Sequence, residues 1–196
     1  MVHQLQKICV YCASSQQVHQ EYMDSANRLG QLLARHGISI VYGGGSVGLM
    51  GALADGALSK GGEVIGVLPR FMYDLEWGHK GLSKLNIVND LHERKRLMID
   101  QVDATVALPG GSGTLEELLE ALTWKRLGLY LNPIILVNMR RYFDPLVAML
   151  EGAIKEHFMD YRHRLMWSVV GRIDDVIEAI DKAPKWSLEA RKFAAL

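Results

Sequence analysis

The chain is short of several things that would place it quickly. It has no charge excess, because 22 Lys and Arg balance 22 Asp and Glu over 196 residues. A surface built to neutralise a polyanion needs a basic excess, so nucleic-acid binding is not expected. Net neutrality also leaves little charge repulsion to keep the chain monomeric. No apolar run approaches the roughly 18 to 20 residues of a membrane-spanning helix, so no membrane partner is expected. Met1 to Lys7 is polar and lacks the apolar core of a signal peptide, so a cytoplasmic location is the expectation. There are two cysteines, too few for a disulfide scaffold. They form a Cys-x-x-Cys, Cys9 and Cys12, inside the strand-like run Ile8–Cys12. Residues three apart on a strand point to opposite faces, so the pair reads as two small buried residues and not as a redox centre. Repeats and low-complexity tracts are absent.

What is present is a strict alternation of apolar runs and helical patterns. Strands are predicted at Lys7–Tyr11, Ile38–Tyr42, Val64–Leu68, Ala104–Leu108 and Ile134–Val137. Helices are predicted at His19–His36, Leu49–Ser59, Leu91–Gln101, Leu115–Leu127, Asp144–Glu156 and Asp174–Ile180. The strands are short, rich in Val and Ile and not alternating, as expected where both faces are covered. The fold class is therefore α/β: one Rossmann-like domain over residues 1–183, a parallel sheet with helices on both faces, then a tail over 184–196. Arg70 to Asn89 has no strong pattern and reads as a long loop carrying Arg70, Asp74, Glu76, Trp77, His79 and Lys80. Loops of that length in compact domains are usually functional.

In an open parallel sheet the ligand binds at the carboxyl ends of the strands. Four unusual segments fall there: Ala13-Ser14-Ser15, Gly43 to Gly48, Pro69-Arg70 with the long loop, and Pro109-Gly-Gly-Ser-Gly-Thr-Leu-Glu-Glu117. Gly43-x-Gly45-x-x-Gly48 matches a dinucleotide fingerprint, but Glu63 precedes the next strand where a ribose-binding acid must follow it. Leu49 and Met50 take the places of the Lys and Ser/Thr of a P-loop. What remains is a glycine turn suited to one phosphate or ribose phosphate, with Ser14, Gly44, Gly45 and Gly48 as candidate contacts.

Two helices carry charges that local stability does not explain. Asp90 and Glu93 make a capping box for the helix from Leu91, yet Arg94, Lys95 and Arg96 follow at once, where cations gain nothing from the dipole. Thr114 and Glu117 have the spacing of a second capping box. That leaves Glu116 and Glu120, which share a flank with Thr123 beside the apolar stripe Leu115, Leu118, Leu119 and Leu122.

Taken together, Gly43–Gly51, His92-Glu93-Arg94-Lys95 and Pro109–Glu117 resemble the LOG ("Lonely guy") family over roughly residues 5 to 182. The resemblance implies hydrolysis of the N-glycosidic bond of N6-modified adenosine 5′-monophosphates, giving free base and ribose 5-phosphate, with no metal or organic cofactor. It implies Arg94 and Glu117 as the catalytic pair. It implies substrate contacts at Glu76, Lys95, Gly111, Ser112, Gly113, Thr114, Leu115, Glu116 and Thr123, in a homodimer with the site near the interface. The rival readings are an AMP nucleosidase without a cytokinin preference and a non-catalytic carrier of nucleotide or molybdenum-cofactor type. An older family label, lysine decarboxylase, would require a pyridoxal-phosphate lysine, for which Lys60 and Lys95 are the nearest candidates.

Overall fold

The computed structural model describes residues 5–75 and 77–194. Seven parallel strands form one sheet: β1 (Lys7–Tyr11), β2 (Ser39–Tyr42), β3 (Val64–Pro69), β4 (Lys84–Val88), β5 (Ala104–Ala107), β6 (Ile134–Val137) and β7 (Ser168–Val170), in the order β4-β3-β2-β1-β5-β6-β7. The helices are α1 (Gln20–Arg35), α2 (Gly48–Leu58), α3 (Arg70–Asp74), α4 (Leu91–Ile99), α5 (Ser112–Arg126), α6 (Asp144–Lys155) and α7 (Val176–Lys182). This is the Rossmann-like arrangement expected from the sequence.

The sheet works as a partition. Ile8, Val10 and Cys12 face a core shared with α1 and α2, with Leu29, Leu33 and Leu53 fully buried in it. Cys9 and Tyr11 face the other core, with Met98 of α4, Leu118 of α5 and Phe143. Two covered faces explain the unbroken apolar strands, and the two cysteines are buried and free on opposite sides. Strand order reverses at β1, which pairs with β2 on one side and β5 on the other. That switch point opens the crevice used by ligands in such sheets.

The segment Arg70–Asn89, expected to be a long loop, is not one. It holds α3 and β4, and β4 pairs with β3 from Ile65↔Lys84 to Pro69↔Val88. Its sequence, Lys-Leu-Asn-Ile-Val, mixes polar and apolar residues because an edge strand is only partly covered. The other edge strand, β7, is Ser-Val-Val and spans only three residues, too short to stand out as an apolar run. Residues 184–194 lie against the end of α5: Trp186 Nε1 donates to Lys125 O at 2.7 Å, and Arg191 Nη2 to Gly128 O at 3.2 Å.

Candidate active site

Four strand ends meet at one cleft of about 630 Å³, within the range of small-molecule sites. Along the sheet edge its walls follow strand order. Leu68 lies at the end of β3, with Met72 and Trp77 beyond it; Gly43, Gly45, Ser46, Val47 and Met50 come after β2; Cys12 to Ser15 after β1; and Gly111 to Thr114 with Glu117 after β5. From β3 to β5 is three strand spacings, roughly 14 Å. One end of the cleft is thus apolar and the other is a helix N-terminus.

That helix start differs from its sequence reading. Thr114 and Glu117 do not form a capping box: α5 begins three residues earlier than expected, at Ser112, with Gly111 as N-cap and no side-chain cap. Thr114 is then the third helical residue and is buried, and Glu117 turns inward with Leu118, Ala121 and Leu122. Leu119, expected in the buried stripe, is exposed, and Leu115 is half-buried against the core. The Leu115 amide donates to Gly111 O at 3.0 Å, so the amides of Ser112, Gly113 and Thr114 are those without an intrahelical acceptor. A Cβ built at Gly111 or Gly113 meets nothing within 4 Å, so the protein's own packing does not demand these glycines.

The glycines after β2 have the opposite character. Gly44 and Gly48 adopt left-handed φ of 78° and 64°. A Cβ at Gly48 would lie 2.4 Å from the Ser14 carbonyl carbon, and one at Gly43 would lie 2.2 Å from Arg94 Nη2. The Met50 amide, in the first turn of α2, already donates to Ala13 O at 3.1 Å. These glycines therefore serve a tight turn and close packing. Ser14 and Gly45 line the cleft; Gly44 and Gly48 do not.

The cations of α4 are accounted for. Asp90 caps the helix, its Oδ1 accepting from the Glu93 amide at 2.8 Å, while Glu93 turns back to the Asn89 amide instead of completing a box with Asp90. Arg94 and Lys95, one residue apart, both point inward and are buried. Arg94 Nη1 lies 2.8 Å from Glu117 Oε1, and its Nε donates to Val67 O at 3.1 Å. The guanidinium is thereby fixed to the end of β3. Side-chain exposure is 9% for Arg94 and 5% for Glu117, so the pair is screened from solvent on all but its cleft face. Burial raises the Glu117 carboxyl above the ordinary glutamate range, and Arg94 opposes that rise. Lys95 Nζ bridges Glu116 and Glu120, the latter at 2.8 Å. Burial pulls the Lys95 ammonium down, the two carboxylates more than offset this, and it ends above the usual lysine value. Arg96 is exposed.

Of the sequence candidates, the cleft brings together Ser14, Gly45, Arg94, Gly111, Ser112, Gly113, Thr114 and Glu117. Lys95 and Glu116 stand beside it as an ion pair. Thr123 is about three turns along α5, exposed, with its hydroxyl on Leu119 O at 2.8 Å. Glu76 lies outside the described residues. Arg70 is not a cleft residue; its guanidinium lies 5.6 Å from the centre of the Tyr73 ring. The apolar wall was not foreseen. Trp77 is held over the cleft because its carbonyl accepts from the Ser46 amide at 3.1 Å, while the His79 amide next along donates to Gly44 O at 3.0 Å. His79 Nε2 is also 3.0 Å from Asp55 Oδ1, tying this segment to α2. Among the described residues no group of three or more metal-ligating side chains is assembled, and no helix is long and apolar enough to cross a membrane.

Fold and cleft define the class: a Rossmann-like α/β protein with one mixed polar and apolar cleft at the switch point, walled by a buried arginine–glutamate pair. A family model described as possible lysine decarboxylase matches residues 50–180. The chain is 42% identical over 174 residues to the cytokinin riboside 5′-monophosphate phosphoribohydrolase of Rhodococcoides fascians, covering 88% of each. It is 45% identical over 153 residues to a probable protein of the same name from Oryza sativa subsp. japonica, covering 78% of this chain and 69% of the relative. The chain belongs to this family, the cytokinin riboside 5′-monophosphate phosphoribohydrolases or LOG family. In fold it also resembles the molybdenum cofactor carrier protein of Chlamydomonas reinhardtii, with a TM-score of 0.70, 22% identity, and 91% and 98% of the two chains covered.

Proposed function

We propose that this protein hydrolyses the N-glycosidic bond of N6-modified adenosine 5′-monophosphates, releasing the base and ribose 5-phosphate. The observation that carries this reading is the buried Arg94–Glu117 pair, set between an anion-binding helix start and an apolar wall. The phosphate binds the Ser112, Gly113 and Thr114 amides, where the dipole of α5 favours negative charge. The α2 start is the lesser candidate, because the Met50 amide already has a partner. Ribose then lies across the β1 and β2 ends, below Glu117. As the C1′–N9 bond breaks, its electron pair leaves with the base and positive charge develops on the sugar. The Glu117 carboxylate stabilises that charge and takes the proton of the water that attacks C1′, and this proton passes on to the departing base, which leaves neutral and restores the carboxylate. Arg94 holds the carboxylate in place by a charge-assisted hydrogen bond. The base reaches Met50, Leu68, Met72 and Trp77, whose apolar surface suits an alkyl substituent on N6.

The relative sharing 88% of its length with this chain carries that activity in its name. Lysine decarboxylation does not fit the residues. Among those described, no lysine lines the cleft, Lys95 is held by two carboxylates, and Lys60 is exposed in the turn after α2. A homodimer is part of the same reading. Leu97 of α4 and Leu119 of α5, with Leu127 and Leu129 just beyond α5, leave apolar surface exposed near Thr123.

The test is base release by purified protein from isopentenyladenosine 5′-monophosphate, AMP and isopentenyladenosine. The expected order of kcat/KM is prenylated monophosphate, then AMP, with little release from the riboside. Equal rates on both monophosphates would indicate a plain AMP nucleosidase. Release from none would leave a carrier of the nucleotide type.

A further inference from the structure

The phosphate end of the cleft depends on which way one peptide faces. Gly110 and Gly111 are joined by a trans peptide, so the Gly110 carbonyl and the Gly111 N–H point in opposite directions. The Gly110 carbonyl accepts a short hydrogen bond from the Tyr142 hydroxyl. Tyr142 follows β6, which flanks β5 on the side away from β1, whereas the cleft extends from β5 toward β3. The carbonyl is thus drawn toward the β6 side, and the Gly111 N–H, next in the chain to the amides of Ser112 to Thr114, points the opposite way. The neighbouring peptide is fixed likewise, Pro109 O accepting from the Ala13 amide at 3.3 Å. A Gly-Gly peptide with no such tether is free to flip and present its carbonyl oxygen to an anion.

Tyr142 is itself held by a costly turn. Arg140 and Arg141 precede it in the left-handed region, at φ of 52° and 60°, which non-glycine residues rarely adopt. Asn138 braces that turn, its Oδ1 accepting from the Phe143 amide at 2.7 Å and its Nδ2 donating to Asp144 at 2.7 Å. The Tyr142 ring packs edge-on against Tyr22 and Phe143. Two unfavourable backbone conformations kept to deliver one hydroxyl suggest a function for that hydroxyl.

We propose that Tyr142 is a positioning residue for phosphate recognition: it orients the Gly110–Gly111 peptide so that the Gly111 amide joins the anion-binding set. This rests on reading the cleft as a nucleoside monophosphate site. Tyr142→Phe deletes the hydroxyl and keeps the ring packing. Calorimetry with ribose 5-phosphate and with adenosine separates the two ends of the ligand, alongside kinetics on isopentenyladenosine 5′-monophosphate. The expected result is a Kd for ribose 5-phosphate and a KM each raised about tenfold, kcat changed far less, and adenosine affinity unaltered. Unchanged ribose 5-phosphate affinity would overturn the proposal, as would an equal loss for adenosine, which marks general damage to the fold. A parent protein that fails to bind ribose 5-phosphate would remove the anion site itself. Base release by the parent, read separately, shows whether the enzymatic reading falls with it.

Discussion

Glu117 and Arg94 each fill a position that an apolar residue would occupy if stability alone decided. Glu117 lies on the inward face of α5 with Leu118 and Ala121, and Arg94 on that of α4 with Met98. Removing one partner of a buried pair leaves an uncompensated charge, which costs about 3 to 5 kcal/mol. Arg94→Met should therefore lower the melting temperature at neutral pH. The sign of its pH dependence follows from Glu117, whose carboxyl burial already holds high. A raised folded-state value contributes stability that is present at low pH and lost as pH rises through that value. Without Arg94 the value rises further, so the deficit against the parent should shrink as pH falls and the carboxyl becomes protonated. The acid limb of kcat/KM, set by ionised Glu117, should move to higher pH in the variant. An unmoved limb would separate the pair electrostatically. Sequence singled out both residues: Arg94 because a cation early in a helix gains nothing there, Glu117 through family resemblance. The capping-box pattern pointed away from the inward orientation of Glu117. Gly111 caps α5 without a side chain, and a backbone cap leaves no signature that fixes the helix start.

The N-terminus of α5 separates glycines that serve the fold from those left open to a ligand. Gly110 belongs to the first kind, since a Cβ there would lie 2.0 Å from Thr114 Oγ1. Gly113 belongs to the second: it is helical, lines the cleft and has open space beside it. Alanine is a better helix former by roughly 0.5 to 1 kcal/mol. Gly113→Ala should thus raise the melting temperature while weakening ribose 5-phosphate binding, measured by thermal unfolding and calorimetry on one sample. A stabilised variant with parental affinity would move the phosphate elsewhere. Both glycines stand in one motif, and sequence treats them alike; only the surrounding atoms distinguish them. The edge elements were hidden for a related reason. β4 carries Lys84 and Asn86 because half of an edge strand meets water, which erased the apolar run that marked the central strands. The Trp77 wall went unseen with it, since a segment read as loop gives no direction to its side chains.

At the scale of the whole molecule, strand order decides which loops can meet. The central strands were legible from Val- and Ile-rich runs, and with them the edge at which a ligand binds. The order was not, because short parallel strands of similar composition carry no pairing code. Placing β5 beside β1 brings Pro109–Glu117 against Ala13–Ser15, and placing β3 and β4 beyond β2 sets the apolar wall opposite. The same arrangement leaves Leu129, 66% exposed, beyond the end of α5. If that face joins two copies, light scattering should give twice the chain mass for the parent and a lower mass for Leu129→Glu. A monomeric parent would contradict the dimer and leave Thr123 without a route to the substrate.

The chemistry is tested most directly by one substitution, Glu117→Gln, which keeps shape and removes charge. The measurement is release of base from isopentenyladenosine 5′-monophosphate by parent and variant, with ribose 5-phosphate affinity read on both. The expected result is a fall in kcat of at least about a thousandfold, on the scale of losing a principal transition-state stabiliser, while ribose 5-phosphate binds within a few-fold of the parent. A variant that turns over within about tenfold of the parent would contradict the assignment, because an effect that small does not require a carboxylate in the transition state.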